Sequence, residues 1–304
     1  MNVQNPAASR GIAIQAVDLV KNYGAGSNMV HALRGVNVSF ERGKFTAIMG
    51  PSGSGKSALM HTLAGLDSAT SGHILFGGAD LTRMDDKQLT LLRRHKIGFI
   101  FQSFNLLPMF TAEQNILMPL TLAGDKPDRA WFDLLVETLG LKQRLNHRPN
   151  ELSGGQQQRV AIARALITKP KLVFADEPTG NLDSVSSAEV LGFLKRSVNE
   201  LGQTIVMVTH DAVAASYADR AIVFADGQIV ADESNPTAET MNELLMAERE
   251  RATRTAVTST RADTLARLAD VEDVPNLPIT DAPLPPAGRT GTIRHARAAA
   301  QHTR

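Results

Sequence analysis

The chain has 304 residues, 43% of them apolar and 21% charged, with a formal net charge of +1 and no cysteine. This composition is typical of a globular protein, and the weak net charge does not indicate nucleic acid as a partner. The lack of cysteine excludes a disulfide framework and fits a cytosolic location. No run approaches the roughly 18 apolar residues of a membrane-spanning helix, and the N-terminus lacks the apolar core of a secretory signal. We therefore expect any membrane association to come through another protein.

Strands are predicted at the start of the chain. Two alternating runs, Ile12–Val20 and Ala32–Phe40, are typical of antiparallel strands with one buried face. The compact apolar run Phe45–Met49 predicts a buried strand, followed by a glycine turn and a helix over Lys56–Leu66.

The turn between this strand and this helix matches the phosphate-binding pattern G-x-x-x-x-G-K-[ST]. Its glycines let backbone N–H groups approach a β-phosphate, and the helix N-terminus adds partial positive charge. Lys56 should reach the β- and γ-phosphates, and Ser57 should bind Mg²⁺. The nucleotide-binding residues predicted here are Gly50, Pro51, Ser52, Gly53, Ser54, Gly55, Lys56 and Ser57.

The middle of the chain is predicted to be helical from about residue 103 to 168. The candidate helices are Thr111–Leu122 and Pro127–Leu139. Near the end of this block, Ser153 can cap a third helix whose glycines would expose N–H groups to an anion. The block interrupts the strand series, so we expect a helical subdomain.

Three further apolar runs follow, at Leu172–Ala175, Thr204–Val208 and Ala221–Phe224, with a helix predicted over Ser187–Leu201. Strands that alternate with helices favour a mainly parallel sheet covered on both faces.

The run that begins at Leu172 ends in two adjacent carboxylates. We expect them to point to opposite sides of the strand. Asp176 would then act on Mg²⁺, through a bound water, and Glu177 would polarise the attacking water as general base.

The last part of the chain changes in composition. A closing helix is predicted over Ala238–Glu250. Residues 251–304 contain five prolines, no aromatic residue, and eight Arg against five acidic residues, which predicts a disordered tail. The alternative is a weakly basic tail that touches anionic lipid or a partner.

The segment LSGGQQQR resembles the signature of ATP-binding-cassette (ABC) ATPases, carried by Ser153, Gly154, Gly155 and Gln156. The resemblance covers roughly residues 11–235. It implies an α/β fold: a P-loop NTPase core with an antiparallel β subdomain and an inserted helical subdomain at about 103–168. The ATPase domain would comprise residues 1–250.

The resemblance also implies roles for single residues, with ATP and Mg²⁺ as cofactors. Tyr23 would stack on adenine, and Gln102 would link the γ-phosphate and Mg²⁺ to the helical subdomain. Asp183, in the loop Asn181-Leu182-Asp183, would contact an opposite subunit, and His210 would contact the γ-phosphate. The catalytic set would be Glu177, His210, Lys56 and Gln102, and the metal set Ser57, Gln102 and Asp176.

The similarity to ABC proteins also implies a head-to-tail homodimer. Each ATP would lie between the Gly50–Ser57 loop of one subunit and Ser153–Gln156 of the other, so that dimerisation depends on ATP. One position departs from the family pattern: Ala58 stands where the family usually has a threonine whose hydroxyl meets the α-phosphate.

Residues 77–124 are similar to cassettes of the lipoprotein-release, macrolide-export and cell-division group. This similarity implies a separate membrane permease as partner, and a peripheral location on the cytoplasmic face of the membrane. A mechanical role in cell division, without transport, is the alternative. ABC ATPases of DNA repair or translation are disfavoured, because the chain has one cassette and no room for a long coiled coil.

Five apolar residues after Gln102 have two interpretations. They could form the groove that receives the permease, or they could belong to the core of the helical subdomain. They are Phe104, Leu106, Leu107, Met109 and Phe110.

Overall fold

The computed structural model describes residues 11–269 of the chain. It is a mixed α/β fold with two sheets, as predicted. No helix among the described residues is long and apolar enough to cross a bilayer.

The larger sheet has six strands in the order β10-β9-β3-β8-β7-β6. All neighbours run parallel except β9 and β10, which pair antiparallel. The strands are β3 (Phe45–Met49), β6 (Ile97–Ile100), β7 (Leu172–Asp176), β8 (Ile205–Val208), β9 (Arg220–Ala225) and β10 (Gln228–Ser234). The prediction of a mainly parallel sheet is confirmed.

The smaller sheet is antiparallel, with the order β2-β1-β4-β5. Its strands are β1 (Ile12–Tyr23), β2 (Val30–Glu41), β4 (Ser71–Phe76) and β5 (Ala79–Asp80). The first two were predicted, but β4 and the edge strand β10 were not. Both are partly exposed, and half-exposed strands give a weaker sequence signal than fully buried ones.

Alternation along the parallel strands buries both faces of the large sheet. On β7, for example, Val173 and Ala175 join one apolar core, whereas Leu172 and Phe174 join the other. The second core also contains the inner face of the small sheet, including Ile14 and Phe40. Both cores hold the strands in place, so that the loops at the strand ends have a rigid support.

Helices cover the sheets or form the inserted block. They are α1 (Lys56–Leu63), α2 (Asp86–Lys96), α3 (Ala112–Ala123), α4 (Arg129–Thr138), α5 (Gly154–Leu166), α6 (Ser184–Leu201), α7 (Ala212–Ala215) and α8 (Ala238–Ala269). Short 3₁₀ turns occur at Gly26–Asn28, Leu81–Arg83, Lys142–Arg144 and Pro149–Glu151. Local signals start several of these helices: Thr111 and Ser153 both form capping boxes.

The closing helix is longer than predicted. Helix α8 continues from Glu250 to Ala269, over residues for which the sequence predicts disorder. Good helix formers (Ala, Arg and Leu) recur in this stretch, and all five prolines of the predicted tail come after it. The chain divides into two compact units after Arg254. The rest of the predicted tail, residues 270–304, lies outside the described residues.

Candidate active site

The predicted phosphate loop and catalytic residues come together at one edge of the large sheet. The Gly50–Ser57 loop follows β3, the two carboxylates lie at the end of β7, and His210 follows β8. Because these strands are parallel, their carboxyl ends meet at the same edge. The parallel sheet thus places these three predicted motifs at the carboxyl ends of neighbouring strands.

The phosphate loop has a backbone that requires glycine. Gly50 has φ +147°, and a Cβ there would lie 1.9 Å from the carbonyl oxygen of Phe224. Gly55 has φ +103°, and its Cβ would lie 2.4 Å from the carbonyl oxygen of Ala32. A side chain at either position would force the loop away from β2 or β9. The loop therefore keeps its N–H groups close to the N-terminus of α1.

Lys56 lies inside this loop. Its ammonium donates hydrogen bonds to the carbonyl oxygens of Gly50 (2.9 Å) and Pro51 (2.8 Å). Burial lowers the pKa of Lys56, while the negative charges of Glu177 and Asp176 act in the opposite direction. The hydroxyl of Ser54 is buried there without a protein partner. A cation, a free hydroxyl and a helix N-terminus form the donor set that a phosphate chain requires.

Ala58 is half-buried in the first turn of α1. We expect Ala58→Thr to tighten ATP binding a few-fold, because the added hydroxyl would supply one hydrogen bond, about 0.5–1.5 kcal/mol. Ala58→Val is the matched control, since it adds similar volume without a hydroxyl. Titration calorimetry with ATP would measure both, and equal affinities for the Thr and Val variants would contradict the prediction.

The two adjacent carboxylates diverge. Strand β7 ends at Asp176, and Glu177 takes the left-handed conformation (φ +44°), so a turn as well as strand alternation separates them. The Oε1 atom of Glu177 lies 3.0 Å from Nδ1 of His210. Asp176 lies instead 3.9 Å from Nε2 of His61, and burial raises its pKa. A left-handed non-glycine residue is strained, and such strain is concentrated at functional sites.

Gln102 reaches the loop that follows Glu177. A Cβ on Gly180 would lie 2.6 Å from Nε2 of Gln102, and Asn181 donates to the Gln102 carbonyl at 3.0 Å. Helix α5 of the helical block fixes the residues after Gln102, because Arg164 donates to the carbonyls of Phe104 (2.7 Å) and Asn105 (2.5 Å). Both have left-handed backbones.

The signature segment packs against the first turn of α6. The hydroxyl of Ser153 accepts from the N–H of Gln156 at 3.3 Å, and the Gln156 side chain accepts from the Ser153 N–H at 3.0 Å. This confirms the predicted helix cap. Gly155 lies against Ser186, since a Cβ would come within 2.8 Å of its hydroxyl. Asp183 caps α6, accepting from the N–H groups of Val185 and Ser186.

Tyr23 lies at the end of β1. Its hydroxyl donates to Asp67 at 2.6 Å, and the Lys21 ammonium lies 4.8 Å from its ring centre. Burial, with the hydrogen bond to Asp67 and the charge of that carboxylate, raises the pKa of Tyr23 to about 12. The side chain is 39% exposed, which leaves surface for a stacked ring.

A metal ion would have few protein ligands here. Among residues 11–269, no group of three or more His, Cys, Asp or Glu side chains could hold one. The predicted set, Ser57, Gln102 and Asp176, brings a single carboxylate. That set fits Mg²⁺, which keeps several waters and shares its coordination with substrate phosphates.

Two residues near the site were missed by sequence reasoning. Arg164 comes 60 residues after Phe104, and His61 is far along the chain from Asp176. No spacing signal links either pair, because their contacts arise when the helical block and α1 pack onto the sheet.

The five apolar residues after Gln102 do not share one environment. A surface cavity of about 450 Å³ lies between α2, β6 and α3, but none of the five apolar residues after Gln102 lines it. Leu106 packs against the core, whereas Leu107, Met109 and Phe110 are exposed. The walls come instead from Phe99, Phe101, Met118, Leu122 and the arginines Arg93, Arg94 and Arg164.

Residues 33–180 match the family model described as ABC transporter. The chain is 48% identical, over 221 residues, to the lipoprotein-releasing system ATP-binding protein LolD of Geobacter metallireducens, covering 72% of this chain and 98% of that protein. It is 49% identical over 220 residues to the macrolide export ATP-binding/permease protein MacB of Syntrophobacter fumaroxidans. That match covers 71% of this chain and 31% of the much longer MacB.

Solved structures show the same fold. The dimeric structure of MJ0796, a bacterial ABC transporter cassette, matches with a TM-score of 0.67 and 40% identity, over 73% of this chain and 98% of that one. A second structure of MJ0796, dimeric and in a post-hydrolysis state with ADP and Pi, matches with a TM-score of 0.67 and 39% identity, over the same shares.

Proposed function

The chain belongs to the family of ABC transporter ATP-binding proteins and is an ABC-type ATPase, and we propose that it drives a separate membrane permease through ATP-dependent dimerisation. The observation that carries the proposal is the edge of the large sheet, where the Lys56 loop and the Glu177–His210 pair meet. This arrangement provides both a phosphate cradle and a base.

Each residue at this edge has a distinct part in the proposed hydrolysis. Lys56 and the loop N–H groups hold the β- and γ-phosphates and neutralise charge as it develops. Glu177 takes a proton from the attacking water, and His210 orients that carboxylate through the 3.0 Å contact. Ser57, Gln102 and Asp176 would hold Mg²⁺, which would polarise the γ-phosphate oxygens.

A second copy of the chain would complete the site. The capped N-terminus of α5, at Ser153–Gln156, presents glycine N–H groups of the kind that bind anions. In the proposed head-to-tail dimer it would close on the γ-phosphate bound by the partner's loop. MJ0796 is dimeric in both of its structures, which supports the proposal that this chain also forms a dimer.

The cavity between α2, β6 and α3 is the site that we propose for the permease. Its aromatic and aliphatic walls (Phe99, Phe101, Met118, Leu122) would receive an apolar helix face, and Arg93 and Arg94 would attract an acidic residue on that helix. The segment after Gln102 borders the same cavity at Asn105, and Arg164 of α5, which donates to the Asn105 carbonyl, lines it as well. A helix seated there would thus touch the segment that follows Gln102.

Leu122→Glu is expected to abolish or strongly reduce co-purification with the proposed permease, since it places a charge on the apolar wall. Leu122 is 69% exposed, so folding should be preserved. Leu134→Glu is the matched control, because Leu134 is 45% exposed on α4 and does not line the cavity. Affinity purification from detergent extracts would measure the complex, and equal recovery of both variants would place the permease elsewhere.

A further inference from the structure

A cavity of about 460 Å³ lies at the amino-terminal ends of the parallel strands, opposite the predicted ATP site. Its lining includes Lys171 and Thr204, which come immediately before β7 and β8. Asp176 and Val208 end these strands on the catalytic side. The four steps from Leu172 to Asp176 span about 13 Å of strand. The two sites therefore lie at opposite ends of the same strands, about one strand length apart.

Apolar groups form much of the wall, and they come from three parts of the fold. Phe76 is from the small sheet, Trp131 from α4 of the helical block, and Leu201 from the end of α6. Two side-chain amide or indole groups of the wall already have partners. The Trp131 indole N–H donates to the Leu166 carbonyl at 3.0 Å. Likewise the Gln203 amide donates to the Pro170 carbonyl at 3.1 Å. The wall thus offers carbon surface more than free hydrogen-bonding groups.

The charges around the cavity are of one sign. Arg42, Lys169 and Lys171 line it, and no carboxylate does so among the described residues. Lys169 is partly neutralised by Asp128 at 2.7 Å, and Arg42 donates to the Ile12 carbonyl at 3.0 Å. None of the ion pairs in the described part of the chain includes Lys171. The rim therefore favours a negative group above an apolar floor.

We propose that this cavity binds a small amphipathic anion, with an apolar body against Phe76, Trp131 and Leu201 and a carboxylate facing Lys171. The volume is in the range of small-molecule sites, roughly 300–1,000 Å³. Because the walls belong to three parts of the fold, an occupant bridges the small sheet, the helical block and the core. The lining includes no residue of the predicted ATP site, so the proposal does not rest on the proposed function.

Trp131 is the only tryptophan in the chain and lies in the cavity wall, so its fluorescence reports occupancy. Titration of the full chain with octanoate is expected to change this emission saturably, whereas octylamine, with the same length and opposite charge, should bind at least about tenfold more weakly. Binding to the folded state should also raise the Tm with octanoate.

Two variants of Lys171 and one control variant test whether the carboxylate of the ligand faces Lys171. Lys171→Glu should weaken octanoate binding about tenfold or more, and Lys171→Arg should retain it. Lys142→Glu is the control, because this exposed lysine does not line the cavity. The proposal would be overturned by no response to octanoate, by equal responses to octanoate and octylamine, or by equal effects of Lys171→Glu and Lys142→Glu. ATP hydrolysis by Lys171→Glu, measured in parallel, should equal that of the unaltered chain.

Discussion

Glu177→Gln is expected to slow ATP hydrolysis by about 10²–10⁴-fold, the usual contribution of a general base. The amide keeps the size of the side chain and can still face His210, but it cannot accept the proton of the attacking water. Lys56 and the phosphate loop are unchanged, so ATP should still bind. The variant should therefore accumulate as an ATP-bound dimer. Phosphate release would report the rate, and analytical ultracentrifugation with and without ATP would report the dimer.

Glu200→Gln is the matched control, since Glu200 is exposed on α6 and lies outside the predicted site. It should hydrolyse ATP at the rate of the unaltered chain and should not accumulate as a dimer. Full turnover by the Glu177 variant would refute the assignment of Glu177 as base. Slow turnover without an ATP-dependent dimer would refute the proposed head-to-tail arrangement.

Lys56→Ala is expected to weaken ATP binding by about 100-fold or more. The ammonium supplies charge-assisted hydrogen bonds to the phosphates, and each such bond contributes about 1.5–3 kcal/mol. The same change removes the two bonds to Gly50 and Pro51 that hold Lys56 inside the loop. Titration calorimetry with ATP would measure the affinity.

Lys44→Ala is the control for this loss. Lys44 is exposed just before β3, at the opposite end of the strand from the phosphate loop. Its variant should bind ATP like the unaltered chain, and thermal unfolding of both variants would show whether the fold survives. Near-normal ATP affinity of a folded Lys56→Ala would show that the loop does not depend on this lysine.

Local features of the site were predictable from the sequence. Strand β3 occupies the predicted residues Phe45–Met49, because a fully buried strand gives an uninterrupted apolar run. Ser153 caps α5 as predicted, since a capping box uses residues three apart. The glycines of the phosphate loop have the positive φ angles that their residue type permits.

Longer-range features were not predictable in the same way. Of the apolar residues after Gln102, Leu106 packs against the core, whereas Leu107, Met109 and Phe110 are exposed. Apolar character shows that a side chain needs cover, but it does not show which element will supply it. The length of α8 was also underestimated, because a polar stretch can be helical without an apolar stripe.

The sequence by itself determined the chemistry of this protein: a phosphate loop, two adjacent carboxylates and a capped signature helix, each encoded within a few neighbouring residues. Only the tertiary structure decided which of them meet. The contact of Glu177 with His210 and the hold of Arg164 on Phe104 and Asn105 join residues more than 30 positions apart. Such contacts depend on strand order and on the packing of the helical block, and local periodicity and spacing predict neither of these.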